Sequence, residues 1–534
     1  MVRKSLACLL CFILLLGAAI GKAEVMEDHF ALIGSELPEA VIVYPSKSNV
    51  KALMKALATE IADYAEAKTG IKIQVITDDK MVENAVEITV GSVNREEAQE
   101  AQAQLPENGY RIARTSSGGV MILGAEQYAL THAVDLFIAE ELLVNADGAL
   151  FIDDALDRSG TLMLSDWEKD GANIGNRQRM SVIKGVKGES AVSSLKSISG
   201  IHTIMQLAGE YSINRTRSRW NVATADIGCM CLHNGKLYFF FGDTLGGARG
   251  QDWLYSNVVA YSTDFDYTNG IRFDGYLTGE KGRVAPVLQG AFGAQGRPNE
   301  YTCIPTGAIS LNGALYMCFM SVALWQGDDW DCNCGGIMKS TDDGVTWQRL
   351  EISWPGDSKF CQMAPVYNEA DGYVYVTGIT GGRLNSARMM RVPADQYEVF
   401  DAYEYLVGYD GNGQPLWKSG EEGLYNDFEL IRGRVWEPCM MYNEYLGEWI
   451  VSYKDAAGIQ LYTAYSPAGP YMRAASIPYA HDSSAGYYAV FMHPALTREG
   501  GRKVAFLISS MHNTPAYPAK SIWEIQLMEM TLNK

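Results

Sequence analysis

Five recurrences of a strand–turn–strand pattern after residue 212, a single Asp-box hairpin and a helix–strand alternation over 38–160 together predict the fold. They describe a mainly-β chain: a five-bladed β-propeller preceded by a small α/β domain. The 534 residues are enough for two or three domains. After about residue 212 helical periodicity disappears, and Gly, aromatic and β-branched residues take over.

Residues 1–23 read as a secretory signal. Arg3-Lys4 precede the apolar run Leu6 to Ile20, and Gly21-Lys22-Ala23 form a small-x-small cleavage site. That run is too short for a membrane span, and no later segment approaches the roughly 18 apolar residues one needs. The mature protein is expected to begin near Glu24 and to be secreted, or at least extracytoplasmic. Removing Arg3, Lys4 and Lys22 makes the formal charge of −19 more negative, to about −22. A surface so acidic repels phosphate backbones, which excludes nucleic acid as a partner and leaves neutral polysaccharides. A monomer without a cofactor is expected, with a structural calcium left open.

Cys8 and Cys11 leave with the signal, and the other eight cysteines lie between Cys229 and Cys439. Cys229-x-Cys231 and Cys332-x-Cys334 lack the partner ligands of a zinc site. Disulfides and buried thiols both remain open for them.

Residues 38–160 form the α/β domain. The apolar run Ala40 to Tyr44 is followed by a helix from Asn49 to Lys68, with Leu53, Leu57, Ile61 and Tyr64 on one face. Strands near 71–76, 86–91, 109–114 and 119–124 and a helix from Gln127 to Leu143 complete it; no catalytic role is expected there. Residues 161–211, rich in Ser, Gly, Lys and Ile, read as a linker with room for one strand.

Residues 212–534 carry the repeats: Asp226…Asn234-Gly235…Phe241, Pro305…Asn312-Gly313…Phe319, Pro365…Asp371-Gly372…Val376, Pro438…Leu446-Gly447…Val451 and Pro494…Gly500-Gly501…Leu507. Each fits one hairpin of a four-stranded blade. Ser340-Thr341-Asp342-Asp343-Gly344-Val345-Thr346-Trp347 is an Asp-box, whose Ser, Asp and Gly hold a tight turn by side-chain-to-backbone hydrogen bonds. Asp342 is therefore structural.

The first repeat points to chemistry. Asn234-Gly235 is a strong hairpin turn, and its register sets Asp226 directly opposite Asp243. Cross-strand Cβ atoms lie about 4.5–5.5 Å apart, and like charges there destabilise a sheet. Two carboxyls forced together, one of them raised in pKa, suit acid/base chemistry on a glycosidic bond. The competing reading has each Asp cap its own turn or hold a cation.

Inner strands begin near the propeller axis, so the repeat anchors should surround one pocket. Candidate substrate-binding residues are Glu300 and Thr306 from the second repeat, Arg383 and Arg388 from the third, Trp436 and Glu437 from the fourth and His493 from the fifth. Trp253, Tyr255, Trp325 and Trp330 could stack on sugar rings. Glu437 could equally be paired with an arginine, and Arg383 and Arg388 could simply neutralise acids. His493 fits a pocket-lining donor better than a base.

The strings Asn221…Ala225-Asp226-Ile227-Gly228…Phe241-Gly242-Asp243-Thr244, Tyr255-Ser256-Asn257, Ile304-Pro305-Thr306-Gly307, the Asp-box and Gly382-Arg383 resemble the domain of unknown function 4185 (DUF4185) family. That family is tied to glycoside hydrolase family 183, which includes endo-D-arabinanases. The resemblance covers roughly residues 212–530. It implies a five-bladed propeller and two essential Asp residues, at positions that are Asp226 and Asp243 here. The α/β domain, through Gly91-Ser92, Gly109-Tyr110-Arg111-Ile112 and Leu123-Gly124-Ala125, resembles the non-catalytic N-terminal domains of several glycoside hydrolases.

The sequence thus points to a secreted glycoside hydrolase, with an endo-acting D-arabinan hydrolase as the specific expectation. A non-catalytic carbohydrate-binding propeller is the alternative. A sialidase fits less well: it needs an Arg-Ile-Pro motif ahead of several Asp-boxes, whereas Arg391-Val392-Pro393 follows the only clear box.

Overall fold

The computed structural model describes residues 29–34, 39–48, 51–144, 149–161, 185–209, 212–246, 252–255, 257–268, 270–279, 284–288, 300–326, 329–478, 486–514 and 517–534. The signal segment 1–23 lies outside the described residues. The chain divides into two compact units, Met1–Leu164 and Ser165–Lys534.

The first unit holds a six-stranded sheet in the order Gln74–Thr77, Ala40–Tyr44, Val86–Val90, Val120–Gly124, Gly109–Arg114, Asp157–Thr161. The first four are mutually parallel, Gly109–Arg114 runs antiparallel to them, and Asp157–Thr161 pairs antiparallel with Gly109–Arg114. Helix Lys51–Thr69 buries Leu53, Leu57 and Ile61, the stripe its 3.6-residue period lays on one face. A further helix, Glu96–Ala103, escapes the sequence reading because its EEAQEAQA run offers only Ala98 and Ala101 to the core. The helix expected to reach Leu143 stops at Leu136 and passes into a wider turn over Phe137–Glu141. A second sheet runs in the order His29–Ile33, Leu150–Asp153, Leu143–Val144, all neighbours antiparallel.

The second unit is the five-bladed propeller. The first strands of its blades are Thr224–His233, Thr302–Leu311, Gln362–Asn368, Trp436–Asn443 and Gly486–Arg498. Each packs against the next, and the last returns to the first. Ser197–Gln206, within the stretch read as a linker, pairs antiparallel with the C-terminal strand Tyr517–Asn533. The fifth blade is thereby completed by chain that precedes the first, which ties the ring shut.

The Asp-box sits on the turn between Asp331–Ser340 and Gln348–Pro355. Asp342 accepts from the Thr346 backbone N–H at 2.8 Å and hydroxyl at 2.6 Å, and Trp347 donates to the Gly344 carbonyl at 2.8 Å. The neighbouring Asp343 joins blades: its carboxylate meets His233 Nε2 at 3.1 Å and Asn234 Nδ2 at 2.7 Å, while His233 Nδ1 meets the Ser310 hydroxyl at 2.8 Å. All eight cysteines from Cys229 to Cys439 carry free thiols.

Candidate active site

The hairpin of the first blade holds the expected register at both ends, with Ala225 opposite Thr244 and Cys229 opposite Phe240. Between them the ladder breaks twice, so Ile227 pairs with Phe241. The direct Asp226–Asp243 pairing expected from the turn is therefore corrected. Asp226 faces the bulged Gly242-Asp243 segment, and an extra residue at Gly228 restores the register. Such compensating bulges re-aim side chains without shifting the rest of a strand.

The same device recurs around the axis. The inner strands slip between Pro305 and Gly307, between Trp436 and Cys439, and between Tyr488 and Val490. At this level three non-glycine residues take left-handed backbone: Ile227 at φ 59°, Glu437 at 39° and Ala489 at 56°. For Ile, with its branched Cβ, that conformation is an outlier. Backbone strain of about 1–3 kcal/mol per residue tends to cluster where function requires a fixed side chain. Here it lies beside Asp226, at Glu437 and beside Tyr488.

Asp226 is buried, 7% exposed. The Tyr488 hydroxyl donates to its Oδ2 at 2.9 Å, and the Asp243 backbone N–H donates to the same carboxyl. Its Oδ1 occupies the space a side chain on Gly242 would need: a Cβ there would stand 2.2 Å away. Burial first, then the charge of Asp243 and more weakly that of Glu437, hold Asp226 well above the usual carboxylate range, outweighing the two hydrogen bonds. Asp243 is half-buried and so the more accessible member of the pair.

Glu437 is buried and bound through Oε1 by Arg383, at 2.8 Å from Nε and 2.7 Å from Nη2. The Arg383 guanidinium lies 4.9 Å from the Tyr488 ring centre, 5.1 Å from Trp436 and 5.4 Å from Trp330. The Arg383 loop is fixed by Gln362, whose amide donates to the Gly382 carbonyl at 3.0 Å. Trp330 in turn packs on Trp325, 5.0 Å between ring centres. Lys454 covers the other approach to Trp436, 3.9 Å from its ring centre.

Of the residues singled out from the sequence, Asp226, Asp243, Arg383, Trp436 and Glu437 thus come together. Thr306 stands on the same ring, yet its hydroxyl is used between blades, donating to the Met363 carbonyl and accepting the Met363 N–H. With Ile227, Pro305, Gln362, Met363, Glu437, Pro438 and Phe491 it lines a constriction too narrow for water.

Three candidates fall elsewhere. Glu300, fully buried, pairs with Arg349 at 3.0 Å and accepts from Ser321 at 2.7 Å. Burial works to raise its pKa, but these partners outweigh it and hold the carboxylate low, as a structural pair requires. Arg388 pairs at 3.6 Å with Glu429. His493 lines a separate cavity of about 220 Å³, together with Cys231, Ser310, Tyr367 and Met441 from further along the inner strands. Burial pushes its pKa down to about 4, so it is neutral, and its Nδ1 accepts the Ala495 N–H. Trp253 and Tyr255 fall on Asp252–Tyr255, whose side chains lie outside the described residues.

Sequence reasoning missed Tyr488. Counting back from the Gly500-Gly501 turn lands on His493-Pro494, because the fifth inner strand carries an irregularity between Met492 and Thr497. The tyrosine pair Tyr487-Tyr488 at the start of that strand was the available signal. Among the described residues, no three His, Cys, Asp or Glu side chains are arranged to hold a metal ion. Nor is any helix among them long and apolar enough to cross a membrane.

This ring of acids and aromatics lies within residues 211–521, which match the family described as Domain of unknown function (DUF4185). The chain belongs to that family. No curated protein matches it. Among solved structures it is similar to xylan beta-1,4-xylosidase from Bacillus halodurans C-125, at 12% identity, 59% of this chain, 54% of that chain and TM-score 0.33. It is also similar to the exo-beta-1,3-galactanase Pc1,3Gal43A from Phanerochaete chrysosporium, at 12% identity, 61% of this chain, 63% of that chain and TM-score 0.38. A third is the alpha-L-arabinofuranosidase PaAbf62A from Podospora anserina, at 14% identity, 59% of this chain, 92% of that chain and TM-score 0.33. The chain thus spans about half the length of the xylosidase it matches.

Proposed function

We propose that the chain is a secreted, monomeric glycoside hydrolase acting on a polysaccharide, most specifically as an endo-acting D-arabinan hydrolase. The observation that carries this reading is the carboxyl pair. Asp226 is buried with its pKa held well above the usual carboxylate range by burial and by Asp243, Asp243 is half-buried beside it, and the strand positions of both are set by paired bulges. Glycoside hydrolysis needs one carboxyl group that still holds a proton at the working pH and one that has lost it. Asp226 fits the general acid, which gives its proton to the leaving glycosidic oxygen. Asp243 fits the second carboxylate, which activates water or attacks the anomeric carbon. The resemblance to glycoside hydrolase family 183 adds the sugar class, D-arabinofuranosyl chains.

The test is incubation with a polysaccharide panel that includes mycobacterial arabinogalactan, followed by product sizing. A ladder of oligosaccharides is expected from the wild type, and none from folded Asp226→Asn or Asp243→Asn. Near-normal turnover by either variant would end the assignment. Binding without new reducing ends would favour a carbohydrate-binding propeller.

A further inference from the structure

Asp226 meets groups from several elements: Asp243 from its own hairpin, Tyr488 from the fifth blade and Glu437 from the fourth, with Arg383 of the third standing behind both Tyr488 and Glu437. Of these, Tyr488 is the side chain that donates to the carboxyl, beside the Asp243 backbone N–H. Burial and Asp226 itself keep the phenol protonated, so it stays a donor. The two oxygens of Asp226 are inequivalent as a result. Oδ2 accepts the phenol at 2.9 Å, whereas Oδ1 has no hydrogen-bond partner among the described residues and abuts Gly242. A protonated carboxyl accepts far better at its carbonyl oxygen than at its hydroxyl oxygen, so with the phenol donating to Oδ2 the proton belongs on Oδ1.

We propose that Tyr488 is a positioning residue for the carboxyl pair: by donating to Oδ2 of Asp226 it confines the proton to Oδ1 and limits how tightly that proton is held. A hydrogen bond to the charged form opposes burial, so the phenol keeps a deeply buried acid able to release its proton. Arg383, over the face of the Tyr488 ring at 4.9 Å, favours negative charge on the phenol oxygen and so strengthens the donor. The consequence for catalysis rests on the hydrolase reading; the placement of the proton does not.

The experiment therefore has two readouts. Infrared difference titration of the protonated-carboxyl stretch, with Asp226→Asn as the blank, follows the Asp226 proton without any substrate. In Tyr488→Phe the midpoint should rise by about one pH unit, a tenfold tighter proton. The alkaline limb of the kcat/KM profile should move up with it. Fluorinated tyrosine placed at 488 keeps the shape and strengthens the donor, so it should move the midpoint down; it decides the matter if the phenylalanine variant does not fold. An unchanged midpoint in the folded variant, with only a stability loss, overturns the proposal. A shifted midpoint in a protein that cleaves no glycan would leave the Tyr488 assignment standing and remove the hydrolase reading.

Discussion

Gly242→Ala is the sharpest test of how the acids are held. Gly242 does not use left-handed backbone, so alanine brings no conformational strain of its own. What it brings is a methyl group 2.2 Å from Asp226 Oδ1 and 3.2 Å from Ile304 Cγ2. Unstrained contacts need roughly 3.5 Å, so the carboxyl must retreat by about 1 Å or more. That motion breaks the 2.9 Å bond from Tyr488, at a cost of about 0.5–1.5 kcal/mol for a hydrogen bond to a neutral carboxyl. A misplacement of about 1 Å in a catalytic constellation typically lowers turnover by about a hundredfold. The assay is kcat on the polysaccharide that the wild type cleaves, alongside a denaturant midpoint. Gly235→Ala is the control: no atom lies within 4 Å of its new Cβ, but φ is +76°. It should lose about 1–2 kcal/mol of stability and no activity. Wild-type turnover in Gly242→Ala would refute the placement of Asp226.

Three further outcomes follow from the same contacts. Asp226→Asn should be more stable than the wild type near neutrality. The native carboxyl, raised by burial and Asp243, binds its proton more tightly than the unfolded chain, so the wild type loses stability as pH rises from about 4 towards the native value; urea midpoints at pH 4 and pH 8 should show the advantage only at the higher pH. Arg383→Ala leaves Glu437 buried without its ion pair and should cost about 3–5 kcal/mol, read by thermal unfolding, with Arg383→Lys only partly restoring it because the stacking on three rings is lost. Asp342→Ala removes the acceptor of the Asp-box turn and should lower stability by about 1 kcal/mol while leaving kcat unchanged.

The turns were the legible part of this chain. Asn234-Gly235 and Asn312-Gly313 each put left-handed backbone where a two-residue hairpin needs it, at φ 46° and 76° and at 51° and 77°. Local rules fix such turns, so the hairpins of the first two blades and the Asp-box could be read directly. The bulges could not. Nothing local announces that the ladder will break at Ile227, because the break is held from far away: Ser509 donates to the Ile227 carbonyl at 3.2 Å across 282 positions. Glu300 misled for a related reason, since its partner Arg349 lies on the last strand of the same blade, 49 residues on. A carboxylate near a repeat anchor looks the same in sequence whether it faces the axis or an arginine.

The location of the seam gives these observations a common cause. Asp226 belongs to the first blade and Tyr488 to the last, and they meet only because the ring closes. Closure is secured on the outside of the fifth blade, where Ser197–Gln206 pairs with Tyr517–Asn533, and again where Glu448 of the fourth blade accepts the Ser193 hydroxyl at 2.8 Å. A closed ring can hold strained backbone at Ile227, Glu437 and Ala489 that an isolated blade would relax. The acids are therefore placed by the propeller as a whole: the first, fourth and fifth blades each supply one strained residue beside the carboxyl pair, and the covalent order of the chain keeps all three from relaxing.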